Sequence, residues 1–168
     1  MSKFGGMDVK GLKEFQKKLE GLQDSDAFLR SCAKELAARL LAKVIKRTPV
    51  GDYDKYVNFT TKDGRQVSFQ PHSGKMGGTL RRGWTGEKNV NAAAYAASMN
   101  VQHLGDRYVI EIVNPVEYAS YVEFGHRTRS LGGWVSGKFM MTISEDELNQ
   151  IAPRVLERKL EKYMRGLM

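Results

Sequence analysis

The sequence predicts an α+β domain, in which an antiparallel sheet of about four strands packs against two or three helices and an inserted hairpin and loop excursion is added. Long segments carry apolar residues at every third or fourth position, which is the period of an amphipathic helix. Shorter segments alternate polar and apolar residues between glycine-containing turn signals, which is typical of antiparallel hairpins. The length of 168 residues suits a single domain over residues 1–168.

The strongest helical pattern predicts a helix from Asp24 or Ser25 to about Arg47. Pro49 ends it, because the residue before a proline avoids the α region. Two adjacent apolar rows run along this helix: Phe28, Cys32, Leu36, Leu40 and Val44, and Leu29, Ala33, Ala37, Leu41 and Ile45. They form one wide apolar stripe, which we expect to face the core with Cys32 as a buried, inert thiol.

Two further helices are predicted at the ends of the chain. Within residues 1–23, an amphipathic helix spans about Val9 to Leu22 with Asp8 as its cap. Within residues 144–168, the capping-box sequence that starts at Ser144 opens the last helix. Pro153 predicts a kink in that helix, or its division into two.

The middle of the chain predicts hairpins and short elements. Residues 51–78 form an inserted excursion, with a hairpin of strands 57–61 and 66–70 followed by a loop over 71–78. Two strands, 98–104 and 107–114, form a second hairpin around a Gly105-Asp106 turn.

Four shorter predictions complete the assignment. Thr79–Thr85 is a short strand, with Leu80, Arg82 and Trp84 on one face, and 87–97 is a short helix. Residues 116–124 form a short helix that Gly125 ends, and 139–143 form an edge strand.

Composition excludes several classes of protein. The single cysteine excludes an intramolecular disulfide framework, and no apolar run is long enough to predict a membrane span. We therefore expect a protein made in a reducing cytoplasm. The net charge of +8 suits contact with nucleic acid or with an acidic protein surface and does not choose between them.

Residues that could carry catalysis are few, and we expect no enzyme, no metal and no cofactor. His72, His103 and His126 lack metal-ligand spacing. Six residues separate Glu117 from Glu123, so on a helix they point in different directions, and contact with Arg or Lys at a subunit boundary suits one or both better than acid–base chemistry. A hydrolase that uses Glu123 and His126 is the weakest hypothesis.

Single-stranded nucleic-acid binding is the main alternative suggested by the residues themselves. Cations and aromatics interleave in two places, first at Arg81, Arg82 and Trp84, and again at Arg127, Arg129 and Trp134. Such a combination serves as a stacking platform in single-strand binders. The competing interpretation is that Trp84 belongs to the core and that the arginines are solvated or ion-paired.

Three blocks in a fixed order carry a resemblance to a known family. They are Thr48-Pro49-Val50, Gly78-Thr79-Leu80-Arg81-Arg82-Gly83-Trp84 and Tyr118-Ala119-Ser120-Tyr121-Val122-Glu123-Phe124-Gly125, followed by Lys138-Phe139-Met140-Met141. This series resembles the head–tail joining or tail-completion proteins of long-tailed bacteriophages, which include tail terminators and minor tail components. The matching part runs from about Ala33 to the C-terminus.

The resemblance implies a structural protein of the virion neck. It implies a homo-oligomeric ring, hexameric to match the tail, at the head-proximal end, where the ring completes the tail and joins it to the head connector. The implied partners are other copies of the chain, the tail tube protein, the connector or stopper protein, and DNA that passes non-specifically through the lumen. No membrane is implied. The expected subunit or partner interface comprises Arg81, Arg82, Trp84, Tyr118, Tyr121, Glu123, Phe124, His126, Arg127, Arg129 and Trp134.

Overall fold

The computed structural model describes residues 25–51, 56–70, 77–86, 90–128 and 132–166. The elements in chain order are α1 (Ser25–Arg47), β1 (Val57–Thr60), β2 (Gln66–Phe69), α2 (Thr79–Gly83), α3 (Ala92–Ser98), β3 (Gln102–Leu104), β4 (Arg107–Val109), α4 (Ala119–Phe124), β5 (Gly125–Arg127), β6 (Trp134–Ser136) and α5 (Met140–Gly166). The fold class is therefore α+β, as predicted. The predicted N-terminal helix lies outside the described residues.

Helix α1 is the centre of the fold. Its apolar stripe buries Cys32, Ala37, Leu41 and Val44, and the helix packs against both α3 and α5. The core cluster comprises Ala37, Leu41, Val44, Leu80, Trp84, Ala96 and Met140. The bounds of α1 and the burial of Cys32 confirm the sequence prediction.

The strands form hairpins rather than one sheet. Among the described residues, β1 pairs with β2, β3 with β4, and β5 with β6, each as a separate two-stranded antiparallel sheet. The prediction of a single sheet of about four strands is therefore wrong, because each of these sheets has two strands. The first two hairpins were predicted, and Gly105 at φ +63° supplies the turn of the second, although its strands are shorter than expected. The predicted loop residues 71–76 lie outside the described part of the chain.

The segment from Thr79 to Thr85 is not a strand. Residues Thr79–Gly83 form helix α2, and Leu80 and Trp84 are buried while Arg82 between them is exposed. A spacing of four residues places Leu80 and Trp84 on one face of a helix, whereas a strand would have placed Arg82 beside them. The spacing of Leu80 and Trp84 is therefore compatible with a strand or a helix. The helix is the element that buries both of these side chains and leaves Arg82 exposed.

The last helix begins earlier than predicted. Residues 139–143 do not form an edge strand, because α5 starts at Met140 and runs to Gly166. Ser144 is not its cap: the side chain is fully buried, and its hydroxyl donates to the Met140 carbonyl at 2.6 Å. The helix includes Pro153 and continues past it, so it does not divide into two.

Two shorter helices agree with the prediction. Helix α3 covers the second part of the predicted 87–97 helix, and the side chain of Asn91 accepts from the Ala94 N–H at its start. Helix α4 ends at Gly125, which adopts φ +88° as the predicted terminating glycine.

Candidate assembly surfaces

The first sequence block forms a buried junction with the second. Thr48 is fully buried directly after α1, and its hydroxyl donates to the Val44 carbonyl and accepts from Trp84 Nε1 at 2.8 Å. The guanidinium of Arg81 donates twice to the Thr48 carbonyl, from Nε at 3.1 Å and from Nη2 at 2.6 Å. A cation at this place satisfies a carbonyl at the end of a helix and complements its dipole. These residues therefore hold α2 against the end of α1.

The junction continues to the segment before α4. The side-chain amide of Asn114 donates to the Leu80 carbonyl at 2.8 Å, and its oxygen accepts from the Val116 N–H. A Cβ atom at Gly83 would lie 2.3 Å from the Asn114 side-chain oxygen. The glycine is therefore required by close packing in the middle of the second block.

The third block connects α4 to the start of α5 through Glu123. The carboxylate is buried and accepts from the N–H groups of Met141 and Thr142, each at 3.0 Å, and from the Thr142 hydroxyl at 2.9 Å. The first N–H groups of a helix have no partner within the helix, and negative charge is favourable there. Glu123 therefore acts as the N-terminal cap of α5 from a distant position in the chain.

The residue directly before α5 cannot supply the N-terminal cap from its own side chain. Phe139, the residue before α5, adopts a positive φ of +48°, and its side chain cannot accept a hydrogen bond. The backbone of the third block also binds this segment: the Phe139 N–H donates to the Glu123 carbonyl at 3.0 Å and the Lys138 N–H to that of Val122 at 2.7 Å.

Two glycines allow this close approach. A Cβ atom at Gly125 would lie 2.4 Å from the Val135 carbonyl oxygen, and one at Gly137 would lie 2.2 Å from the Glu123 carbonyl oxygen. Neither site has room for a larger residue. The glycine that ends the third block thus has a packing role as well as a conformational one.

The rest of the third block presents an exposed aromatic surface, which we define as Tyr121, Phe124 and Trp134. Their exposed fractions are 59%, 62% and 61%. Tyr121 and Phe124 lie three residues apart on one face of α4. The Trp134 ring lies beside Gly125, because its Cζ2 atom is 3.1 Å from the position that a Cβ atom on Gly125 would occupy. Three large exposed aromatics on adjoining elements are typical of an interaction surface.

Further exposed residues lie near the aromatic surface. Tyr118 and Val135 are exposed, and His126 makes an edge contact with Tyr121 at a ring distance of 5.8 Å. Arg127 lies directly opposite Trp134 in the register of β5 and β6 and is exposed.

The β1–β2 hairpin presents a second exposed apolar surface. Its register places Val57 opposite Phe69 and Phe59 opposite Val67, so that these four side chains share one face. Asn58, Thr60, Gln66 and Ser68 share the other face. Val57, Phe59 and Phe69 are 38%, 49% and 48% exposed. We call the four apolar residues the hairpin face.

The predicted interface residues thus fall into three groups. Six of them are exposed on α4, on the residue directly before it or on the β5–β6 hairpin, namely Tyr118, Tyr121, Phe124, His126, Arg127 and Trp134, and Arg82 is exposed on α2. Trp84, Glu123 and Arg81 have partners within the subunit, as described above, and hold the fold together. Arg129 lies outside the described residues. For all eleven residues, contact with another subunit or partner stays a prediction.

The hairpin face was not among the predicted interface residues. Its signal was visible in the sequence, because Val57, Phe59, Val67 and Phe69 occupy alternate positions in two segments joined by a turn. The alternation predicts strands, but the exposure of the apolar side could come only from the structure.

The described residues contain no group of three or more His, Cys, Asp or Glu side chains placed to hold a metal ion. In the same part of the chain, no helix has the length and apolar character needed to cross a membrane.

Comparison with known proteins identifies the family. Residues 13–125 match the family model HK97-gp10-like, described as "Bacteriophage HK97-gp10, putative tail-component". No curated protein and no solved structure matches the chain. The matched region covers more than half of the chain and contains all three sequence blocks, which are Thr48-Pro49-Val50 after α1, the block that forms α2, and the block that forms α4 and ends at Gly125. The protein therefore belongs to the HK97-gp10-like family of bacteriophage tail components.

Proposed function

We propose that this tail component is a ring-forming structural protein at the head-proximal end of the tail, where it completes the tail and joins it to the head connector, without catalytic activity. The observation that carries the proposal is the pair of exposed apolar surfaces, the aromatic surface and the hairpin face, on a member of a phage tail family. Their residues are separated in the chain and lie on different elements.

A ring requires this kind of arrangement. Subunits that meet head to tail use two different patches, and the contact repeats until the ring closes. In our proposal, the hairpin face of one subunit packs on the aromatic surface of the next. Both surfaces are exposed within one subunit, so neither covers the other there. Each aromatic side chain can bury roughly 150–250 Å² on contact, a useful part of the roughly 800 Å² per partner in a standard interface.

The hairpin itself favours assembly. An isolated two-stranded hairpin is marginally stable in water, and seven of the eight strand residues in β1 and β2 are exposed. Cover from a neighbouring subunit would stabilise it. The remaining partners in this proposal are the tail tube protein below the ring and the connector or stopper protein above it. The hexameric number rests on the resemblance to tail-completion proteins.

The position in the particle is tested by electron microscopy of particles produced without this gene. We expect full heads beside unattached tails, or tails of uncontrolled length. Complementation with the intact gene should restore joined particles of uniform tail length. Normal particles in the absence of the gene would overturn the neck position.

The proposed contact is tested by mixing two variants. Phe59→Asp with Phe69→Asp destroys the hairpin face, and Tyr121→Asp with Phe124→Asp destroys the aromatic surface. Each variant alone should be monomeric, because every self-contact needs both surfaces. A mixture retains one intact pair and should form 1:1 dimers that cannot grow, as measured by sedimentation velocity.

The matched control for the hairpin variant lies on the opposite face of the same strands. Asn58→Asp with Ser68→Asp adds the same charge to the polar face and should leave assembly unchanged. Wild-type chain that stays monomeric, variants that still assemble alone, or a mixture that remains monomeric would each contradict a contact between these two surfaces.

Single-stranded nucleic-acid binding is a second candidate function, which now depends on one of the two predicted groups of cations and aromatics. Trp84 is buried and bonded to Thr48, so it cannot stack on a base in this fold. The remaining exposed combination is Arg127 opposite Trp134. This function predicts steeply salt-dependent binding to single-stranded oligonucleotides that Trp134→Ala abolishes.

A further inference from the structure

The second half of helix α5 carries a row of exposed cations. Arg154, Arg158, Lys162 and Arg165 are all exposed. At 3.6 residues per turn, they fall within a sector of about 80° around the helix axis. We call them the α5 cation row. Its length from Arg154 to Arg165 is about 16 Å at 1.5 Å per residue.

These cations differ from four of the six cations of α1, which have acidic partners. Arg30 is bound to Asp26, Arg39 to Glu35, and both Lys43 and Arg47 to Glu147. No ion pair within 4.0 Å joins a member of the α5 cation row to an acidic residue in the described part of the chain.

Neighbouring groups leave the row positive. Glu161 borders the sector and Glu157 lies farther around the helix, so one acidic residue at the border faces four cations. Arg39 and Lys159 lie close by, lining the same shallow depression as Arg158 and Lys162, and the Glu35 carboxylate in that depression is already paired with Arg39. The Lys159 ammonium donates to the Ser31 carbonyl at 2.7 Å.

The composition of this face favours a phosphate backbone over a protein partner. Protein interfaces have apolar cores from which charged residues are depleted. The large exposed apolar residue in this half of α5, Leu160 at 45% exposure, points away from the row by more than a third of a turn. Contacts to DNA phosphates instead come from Arg and Lys and need no apolar core. Phosphates on one strand recur about every 3.4 Å along the duplex axis, so the row spans several of them.

We propose that the α5 cation row binds the phosphate backbone of duplex DNA without reading its sequence. The inference deepens the proposed function and rests on it, because a ring at the head–tail junction surrounds the path of the genome. Each subunit would then face the DNA with α5, while the hairpin face and the aromatic surface contact neighbouring subunits. The row is distinct from the cations near Trp134 that support single-strand binding.

The test uses the purified full-length chain and a fluorescently labelled 30-base-pair duplex of random sequence, with binding followed by anisotropy over a salt series. The logarithm of the binding constant falls by about 0.9 per phosphate contact for each unit of log salt concentration. Arg154→Gln, Arg158→Gln, Lys162→Gln and Arg165→Gln together should therefore reduce the slope by about 3 to 4. Circular dichroism checks that α5 remains folded.

The matched control removes four exposed cations from other parts of the described chain. Lys46→Gln, Lys62→Gln, Arg65→Gln and Lys138→Gln give the same net charge and should reduce the slope by less than about 1. An equal loss in the control would show general charge attraction and overturn the proposal. So would no binding by the wild type at low salt, tighter binding to a single strand of the same length, or a row variant with an unchanged slope.

DNA binding and the neck position can fail independently. Loss of DNA binding in the row variant is measured on the purified chain, whereas particle morphology tests the neck position. A row variant that binds DNA like the wild type but no longer assembles would assign this face to an acidic protein partner and overturn the proposal.

Discussion

The Glu123 carboxylate caps helix α5 by accepting two hydrogen bonds from Thr142 in the first turn, one from the backbone N–H at 3.0 Å and one from the hydroxyl at 2.9 Å. The two residues are far apart in sequence, so this carboxylate fixes where α4 ends relative to where α5 begins. The β5–β6 hairpin, which carries Trp134, lies between these two helices in the chain. An internal structural role thus supports the surface on which the assembly proposal depends.

The first prediction concerns this cap. Glu123→Gln removes the negative charge and turns a donor toward N–H groups, so we expect a loss of about 2–3 kcal/mol in the free energy of unfolding, measured by urea denaturation. Glu117→Gln, at an exposed position shortly before it, is the control and should change the free energy by less than about 0.5 kcal/mol. Equal stability of the two variants would refute the capping role.

The second prediction concerns the Thr48 junction. Thr48→Val keeps the shape but removes the acceptor for Trp84 Nε1 in a buried place, which should cost about 1–3 kcal/mol. Thr48→Ser keeps the hydroxyl and should cost less. In a Trp134→Phe background, Trp84 is the only tryptophan, so its fluorescence follows unfolding directly. A Val variant as stable as the Ser variant would contradict the proposed bond.

The third prediction compares two glycines with positive φ. Gly125 and Gly105 have φ of +88° and +63°, but a Cβ atom would meet the Val135 carbonyl at 2.4 Å in the first case and nothing within 4 Å in the second. Gly105→Ala should cost about 1 kcal/mol. Gly125→Ala should cost about 1–3 kcal/mol more, because Gly125 also has ψ 172°, a backbone region essentially restricted to glycine, and because the added methyl group overpacks. Thermal denaturation compares the pair, and equal shifts would contradict both causes.

The fourth prediction concerns pH. Hydrogen bonds from Lys43 and Arg47 hold the pKa of Glu147 below its usual value of 4.5. A carboxyl whose pKa is lowered on folding adds stability above its unfolded pKa, and this contribution is lost as pH falls through the folded pKa. The wild type should therefore exceed Glu147→Gln in stability at neutral pH, with a difference that shrinks as the pH falls below about 4.5.

The measurement for that prediction is a urea denaturation series from pH 7 to pH 3. We expect a modest difference in the free energy of unfolding, because Glu147, Lys43 and Arg47 are all partly exposed. Glu145→Gln, two residues earlier at an exposed position, is the control and should show no such convergence. A difference between wild type and Glu147→Gln that grows toward low pH would contradict the stated ion pairs.

The fifth prediction separates surface from core within one motif. Tyr121→Ser and Phe124→Ser should leave the free energy of unfolding within about 0.5 kcal/mol of the wild type, because these side chains are exposed. The same substitutions should abolish self-association. Trp84→Ala, in the second motif, should instead destabilise the monomer by about 3–5 kcal/mol. Loss of stability at Tyr121 comparable to that at Trp84 would show that the aromatic surface is not free.

The sequence by itself determined the features that depend on local periodicity and turn chemistry. The apolar rows from Phe28 to Ile45 fixed α1, and the turns at residues 62–65 and 105–106 fixed two hairpins. Gly125 marked the end of α4. The order of the three blocks was also enough to indicate the phage tail family. These properties can be read locally because neighbouring residues interact directly.

Only the tertiary structure decided which residues support the fold and which are available to a partner. The sequence placed Arg81 and Glu123 at an expected interface and left Trp84 open between the core and a stacking surface, but each is bonded to a group that lies far away in the chain. The start of α5 was misplaced for the same reason: its cap is Glu123, not the local Ser144. Long-range hydrogen bonds and burial have no local sequence period, so the chain must fold before they can be assigned.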